Sequence, residues 1–347
     1  MYEDFPAPLA VLIASFLEAE HVARIRQVDE RLRVIYEPDL LRPPRYAADH
    51  TGEPVARSAE KEARWQALLG QADILFDFDH SHREDLPELA PKVRWIQATS
   101  AGIGQFVKQM GYAARMPATV FTTASGVHIA PLAEFCLMSI LNHYRGLAHL
   151  QECQRRHHWE RFATTDLTGK TVGIIGLGRI GAEVARLCAA FGMTVVGVKN
   201  TPSVVAHVDR VHAPDELLTL LPQMDVVIMI VPHTPTSEKM MGAPEFAAMK
   251  DRAFFINIGR GSTVDEPALI AALQSGKLGG AALDVFEEEP LPATSPLWDM
   301  ANVLVSPHSA STSDRENARI IDLFCDNLRR YLDGQPLRNV LDVERLY

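Results

Sequence analysis

Lys170-Thr-Val-Gly-Ile-Ile-Gly-Leu-Gly-Arg-Ile-Gly181 decides how the rest of the chain is read. The apolar run Val172 to Ile175 reads as a strand buried on both faces, and Ala182 to Phe191 has the periodicity of a helix. Between them stand Gly176, Gly178 and Gly181, spaced G-x-G-x-x-G. Strand, tight turn and helix is the context in which that spacing signals a dinucleotide site. Gly176 permits the sharp turn, Gly178 lets the backbone approach a pyrophosphate, and Gly181 lets the helix pack close to the strand. The helix N-terminus then offers N–H groups and a partial positive charge to the phosphates.

Strands and helices alternate on both sides of this stretch. Upstream, Leu9–Ala14, Leu32–Tyr36, Asp73–Phe78, Val93–Ala98 and Thr119–Thr122 read as strands, and helices are expected over Glu18–Asp29, through Trp65–Leu69 and over Leu86–Ala90. Pro38–Ser58, rich in Pro, Gly, Asp and Arg, reads as loop. A long apolar helix, Pro131–Arg145, continues in a more polar segment to Trp159. Downstream strands are expected at Thr194–Val198, Val226–Ile230, Phe254–Ile258, Gly280–Asp284 and Val303–Ser306. The expectation is an α/β protein of two parallel-sheet domains, Rossmann-like or flavodoxin-like, separated by a cleft. Residues 1–124 with 313–347 form one, through a returning helix Ser313–Tyr331, and 125–312 form the dinucleotide-binding one.

The 347 residues suffice for two such domains, and 47% hydrophobic with 22% charged residues is an ordinary globular balance. The net charge of −10 argues against nucleic acid or an anionic membrane as partner. Leu9–Leu17 is too short to span a bilayer. Cys136, Cys153, Cys188 and Cys325 are scattered without a C-x-x-C, the pattern of reduced thiols in a cytoplasmic protein. His143, His149, His157 and His158 lack both H-E-x-x-H and the i, i+4 histidine spacing of zinc sites, so they read as helix-surface or interface residues and no metal is expected.

Three motifs follow strands of the second domain. Phe254-Phe-Ile-Asn-Ile-Gly-Arg-Gly261 puts Arg260 beyond one strand, Ala281-Ala-Leu-Asp-Val-Phe-Glu-Glu-Glu-Pro290 puts Glu289 beyond the next, and Asn302-Val-Leu-Val-Ser-Pro-His308 puts His308 beyond a third. Ligands of doubly wound sheets sit outside the carboxyl ends of the strands, so these three side chains can converge on one ring. Glu287 and Glu288 read as a solvated loop.

Taken together, G-L-G-R-I-G, N-I-G-R-G, L-D-V-F-E-E-E-P and S-P-H resemble the D-isomer-specific 2-hydroxyacid dehydrogenase family, in its glyoxylate/hydroxypyruvate reductase-like branch. The resemblance covers nearly the whole chain, densest over Leu167–Ser311. It implies that Arg260 binds the carboxylate and carbonyl of a small 2-keto acid, that His308 is the general acid/base and that Glu289 is its partner. The chemistry suits these residue types: a guanidinium clamps a carboxylate at two points, and a carboxylate favours the imidazolium that gives the proton. The substrate loop falls on Ser100, Ala101 and Gly102, with Gly104 where many members carry Asp. Trp298, Phe78 and His80 are candidates for the pocket wall. Further cofactor contacts fall on Arg179, Ile180, Val231, Pro232, Ile258, Gly259, Asp284, which reaches the carboxamide, His308 and Ser309. A homodimer through the Pro131–Leu141 helix is also implied.

NAD enzymes place an acid roughly 20 residues past the glycines, on the ribose hydroxyls. Here Lys199 stands in that place, beside Asn200 and Thr201. A cation with two hydrogen-bonding neighbours suits a 2′-phosphate, which favours NADP(H) and leaves NAD(H) possible. The expected activity is reduction of a 2-keto acid to the D-2-hydroxy acid by hydride from NAD(P)H. Glu289 counts against the formate-oxidising branch, which carries Gln there. The alternative is a cofactor-sensing, corepressor-like interaction protein on the same fold.

Overall fold

The computed structural model describes residues 8–346, which divide into two compact units. One runs to Val127 and resumes at Thr312; the other is His128–Ser311. The first crossing falls later than the sequence suggests because Ser125 stays tied to the first unit: its carbonyl accepts from Asn339 Nδ2 at 2.7 Å.

In the first unit β1 (Leu9–Ile13), β2 (Leu32–Ile35), β3 (Ile74–Phe76), β4 (Trp95–Gln97) and β5 (Val120–Thr122) pair in parallel in the order β2-β1-β3-β4-β5, the flavodoxin-like arrangement. Alternate residues of β1 enter opposite cores: Leu12 packs with Trp65, Leu69 and Ile96, while Val11 and Ile13 pack with Trp95 and Phe324. The helix Glu316–Leu332 covers the latter face, its Tyr331 stacked on Trp95 at 5.5 Å. β3 is shorter than expected, ending before Asp77, whose φ of 68° leaves the extended region. Phe78, a candidate wall residue, is instead core: 2% exposed, with its ring against Phe106, Tyr112 and Phe121.

In the second unit β6 (Thr171–Ile175), β7 (Thr194–Val198), β8 (Arg210–His212), β9 (Val226–Met229), β10 (Ala253–Asn257), β11 (Leu278–Leu283) and β12 (Val303–Val305) form one parallel sheet, ordered β12-β11-β10-β9-β6-β7-β8. The order reverses between β6 and β9, which is where a doubly wound sheet opens its binding crevice. β9 shows why both faces are apolar: Val226 and Ile228 enter one core, Val227 and Met229 the other. β8 was not expected; it is a three-residue, partly exposed edge strand and lacks the apolar run that marks its neighbours.

The helix Ile129–Tyr144 buries Leu132, Ala133, Cys136 and Ile140 in the same core as Val184, Ala185 and Cys188 of the helix Arg179–Ala190. It does not run on to Trp159. Gly146, at φ 68°, ends it, a second helix covers Leu147–Arg155, and 158–166 has no regular structure. No helix of the described residues is long and apolar enough to cross a membrane.

Candidate active site

The glycine turn is built for a phosphate. Gly176 has φ 108°, and a Cβ there would meet Ile230 O at 2.8 Å; a Cβ on Gly181 would meet Gly176 O at 2.3 Å. Both glycines are required by packing. Gly178 differs: nothing lies within 4 Å of a Cβ placed on it, and it is the N-cap of the helix Arg179–Ala190. The backbone at Gly178 therefore faces open space with the helix N-terminus behind it, a cradle that fits a pyrophosphate. Arg179 is exposed and Ile180 half-buried beside it.

Val231, Pro232, Ile258 and Gly259 form the tips of β9 and β10. A Cβ on Gly259 would meet Val231 O at 2.7 Å, so the two tips run in close contact. Ser237, 4% exposed, donates to Pro232 O at 2.7 Å and fixes the first of them. At the tip of β7, Lys199 follows Val198, whose carbonyl accepts the Gly176 N–H at 2.9 Å. Lys199 Nζ reaches Ser203 Oγ at 3.2 Å, and Asn200 and Thr201 are exposed. A cation thus stands on the strand adjoining the glycine turn.

Arg260 follows a loop that folds on Asn257. The Asn257 side chain donates to Arg260 O at 3.2 Å and accepts the Gly259 N–H at 3.0 Å; Thr263 Oγ donates to Arg260 O at 2.6 Å. The guanidinium donates to Gly259 O at 2.6 Å. Burial lowers its pKa, opposed by the charges of Glu289 and Asp284. A guanidinium, the most basic of the side chains, stays a cation through this. A Cβ on Gly261 would overlap Phe286 O at 1.8 Å, so the Arg260 loop lies directly on the segment leading to Glu289.

Glu289 is pinned at both oxygens. Oε1 accepts the Phe286 N–H at 3.0 Å and Oε2 sits 2.8 Å from His308 Nδ1. Burial pushes its carboxyl up, but the bond to His308, the imidazole and Arg260 charges and the Phe286 N–H together hold it below the usual range. A carboxylate facing Nδ1 requires the proton there, which leaves Nε2 as the atom that exchanges a proton with a ligand. His308 has φ 53°, and its N–H turns back on Ser306 O at 3.0 Å. A left-handed histidine is strain that a neighbouring framework must hold.

Asp284 supplies that framework. Its Oδ1 accepts from Ser306 Oγ at 2.5 Å and from the Ser309 and Ala310 N–H groups, both at 2.9 Å. At 2% exposure, burial raises its carboxyl above the usual range, against these hydrogen bonds and the His308 charge. Arg260, Glu289, His308, Asp284 and Ser309 are thus gathered on three adjoining strand tips. Asn257, Thr263 and Ser306 hold them there. These three carried no reading from the sequence, although Asn257 and Ser306 stand inside the quoted motifs.

Ser100, Ala101 and Gly102 belong to the first unit, as an exposed loop after β4 in which Gly102 N–H meets Ser100 Oγ at 3.3 Å and Ser100 O accepts from Ala124. Gly104 has a local cause: a Cβ there would sit 2.0 Å from Leu346 O, so the C-terminal segment occupies the space a side chain would need. His80 pairs with Asp77 at 3.5 Å in that unit, and Trp298 in the other is half exposed, its Nε1 on Pro292 O at 3.0 Å. His143, expected at the helix surface or an interface, is half-buried: it stacks on Phe254 at 4.3 Å, and burial, with the Arg252 charge, pushes its pKa down to about 4.

A turn that fits a phosphate at one set of strand tips and an imidazole held by a carboxylate at the next are features a nicotinamide-dependent oxidoreductase can use. Residues 137–310 match the sequence model described as D-isomer specific 2-hydroxyacid dehydrogenase, NAD binding domain. The chain is 33% identical to glyoxylate/hydroxypyruvate reductase B of Citrobacter koseri, over 84% of this chain and 88% of that protein. It is 31% identical to D-3-phosphoglycerate dehydrogenase of Methanocaldococcus jannaschii over 76% of its length, spanning half of that relative. Among solved structures, a D-isomer specific 2-hydroxyacid dehydrogenase from Xanthobacter autotrophicus in complex with NADPH and MES superposes with a TM-score of 0.78 at 28% identity, covering 98% of this chain and all of that one. An NADPH-dependent glyoxylate/hydroxypyruvate reductase from Sinorhizobium meliloti, in complex with NADP and sulfate, gives 0.77 at 25%, with the same coverage. The chain belongs to the D-isomer specific 2-hydroxyacid dehydrogenase family. It is an NAD(P)-dependent dehydrogenase of 2-hydroxy acids, acting on the CH–OH group of donors.

Proposed function

We propose that this enzyme reduces a small 2-keto acid, of glyoxylate or hydroxypyruvate size, to the D-2-hydroxy acid with NADPH. The observation that carries the reading is the 2.8 Å contact between His308 Nδ1 and Glu289 Oε2, one strand tip from Arg260. The bound nicotinamide supplies the hydride. His308 Nε2 gives its proton to the substrate's carbonyl oxygen, and Glu289 stabilises the imidazolium before that transfer. Arg260 turns from Gly259 O to bind the substrate's carboxylate and carbonyl. Asp284 has its Oδ1 committed to the His308 loop, which leaves Oδ2 for the carboxamide.

The first unit serves as the substrate-binding unit, through Ser100, Ala101 and Gly102, and His128–Ser311 as the dinucleotide-binding unit. Lys199, with Asn200 and Thr201, reads the 2′-phosphate, a preference supported by the NADPH and NADP complexes of the two structural relatives. The protein works as a homodimer through the Ile129–Tyr144 helix and its surroundings, where Met138, Leu147 and Leu304 are exposed. Its four free cysteines support a cytosolic location.

Steady-state kinetics with glyoxylate, hydroxypyruvate and larger 2-keto acids, each with NADPH and NADH, tests the reading. Fastest turnover of a two- or three-carbon acid with NADPH is expected. Tight NADPH binding without turnover of any acid would instead support the sensor.

A further inference from the structure

Away from the strand tips, three metal-ligating side chains of different chemistry meet on the segment that leaves the Ile129–Tyr144 helix. His149 and Cys153 lie one turn apart on Leu147–Arg155, at i and i+4, so they share a face. The chain then turns at His157, φ 51°, and brings Glu160 back against that face. The ligand atoms of His149, Cys153 and Glu160 all lie within 4.8 Å of one another, and no second group of this kind occurs among the described residues. Cys153 Sγ is 3.4 Å from His149 Nε2, and His149 Nε2 is 3.8 Å from Glu160 Oε2.

These separations carry information about an ion. Zinc bonds of about 2.0–2.3 Å in a tetrahedron set neighbouring ligands roughly 3.3–3.8 Å apart. A surface ion pair accounts for the imidazole and carboxylate but not for a thiol in the same small sphere. Two neighbours hold the cluster in shape: His158 Nε2 lies 3.5 Å from the same Glu160 oxygen, and Phe162 stands edge-on to the His149 ring at 4.4 Å. Within one chain His149 and Glu160 are exposed and Cys153 half-buried, so the three ligand atoms are not sealed in the core.

We propose that His149, Cys153 and Glu160 bind one zinc-type divalent cation, with water in the fourth position and His158 steadying Glu160. The donor set suits zinc: a thiolate and an imidazole for its borderline softness, and two negative charges to match its own. On binding, Cys153 releases its thiol proton to solvent, so affinity rises with pH. The ion clips the irregular segment after Arg155 to the helix before it.

The test uses the full-length chain stripped with EDTA and titrated with Co2+. A thiolate-to-cobalt charge-transfer band in the near ultraviolet, saturating at one ion per chain and removed by Zn2+, is expected. Zn2+ should also raise Tm reversibly, with EDTA restoring the lower value. Cys153→Ser should abolish the band, and His149→Ala and Glu160→Gln should weaken zinc binding at least about 10-fold. All three variants should keep the stripped wild-type Tm and full keto-acid reductase activity, since none touches the strand-tip site. No band at saturating Co2+, a band that survives Cys153→Ser, or saturation at half an ion per chain would overturn the proposal.

Discussion

His308 Nδ1 and Glu289 Oε2 are 2.8 Å apart, and the other oxygen of that carboxylate is held by the Phe286 N–H. The imidazole is therefore oriented by a group that cannot itself turn away. His308→Ala should lower kcat for keto-acid reduction by roughly 10²–10⁴-fold, the ordinary range for a lost acid/base group, and leave cofactor affinity nearly unchanged. Glu289→Gln keeps the shape but withdraws the charge. Its deficit should be largest at the alkaline end of the pH–rate profile, where keeping a proton on the imidazole is hardest. A uniform deficit across pH would remove Glu289 from the proton's history.

The cation at the tip of β7 makes a second case. The Lys199 ammonium donates to the Ser203 hydroxyl at 3.2 Å, an arrangement a 2′-phosphate can displace. Lys199→Asp removes a charge-assisted contact of about 1.5–3 kcal/mol and adds repulsion, so the NADPH/NADH ratio of kcat/KM should fall by at least roughly 10- to 150-fold. An unchanged ratio would show that the side chain merely faces solvent.

Two alanine substitutions in one turn should behave in opposite ways. At Gly181 the new methyl falls 2.3 Å from Gly176 O, and the overpacking should cost about 1–3 kcal/mol of stability, read as a lower denaturant midpoint. At Gly178 the methyl meets nothing within 4 Å, so the fold should be untouched while NADPH binding weakens, because the methyl occupies the phosphate's approach. Equal losses of stability would refute the cradle.

His143 should stay neutral well below the usual imidazole range. Its folded pKa of about 4 lies under the ordinary value near 6.5, so between the two the unfolded chain binds the proton better. The stability it contributes is fully present above about 6.5 and is lost as pH falls to about 4. His143→Phe, keeping the stack on Phe254, should flatten that part of the stability–pH curve; an NMR titration of the ring near 6.5 would contradict it.

Much of this was legible in the residues because close packing leaves few options. A glycine that a methyl would drive into a carbonyl, as at Gly176 or Gly181, has to be written as glycine. Strands covered on both faces, such as β9, have to be written as apolar runs. What stayed hidden depends on partners far along the chain. β8 is too short and too exposed to carry a pattern, and Phe78 looks like a wall residue until Tyr112 and Phe121 are seen against it. The expectation of no metal rests on histidine-to-histidine spacing, which does not bear on the His149, Cys153 and Glu160 set for which zinc binding is proposed. The sequence marks Asp284 as a cofactor contact or, failing that, a strand-end cap, but which groups of the His308 loop it holds shows only in three dimensions.

Gly104 and Leu346 are separated by most of the chain, yet each defines the other's room. An engineer who grafts a bulkier residue at 104, or swaps in a relative's terminus, is editing a single joint from two sides. Changes to the loop from Ser100 to Gly104 and to the segment around Leu346 therefore have to be made as a pair.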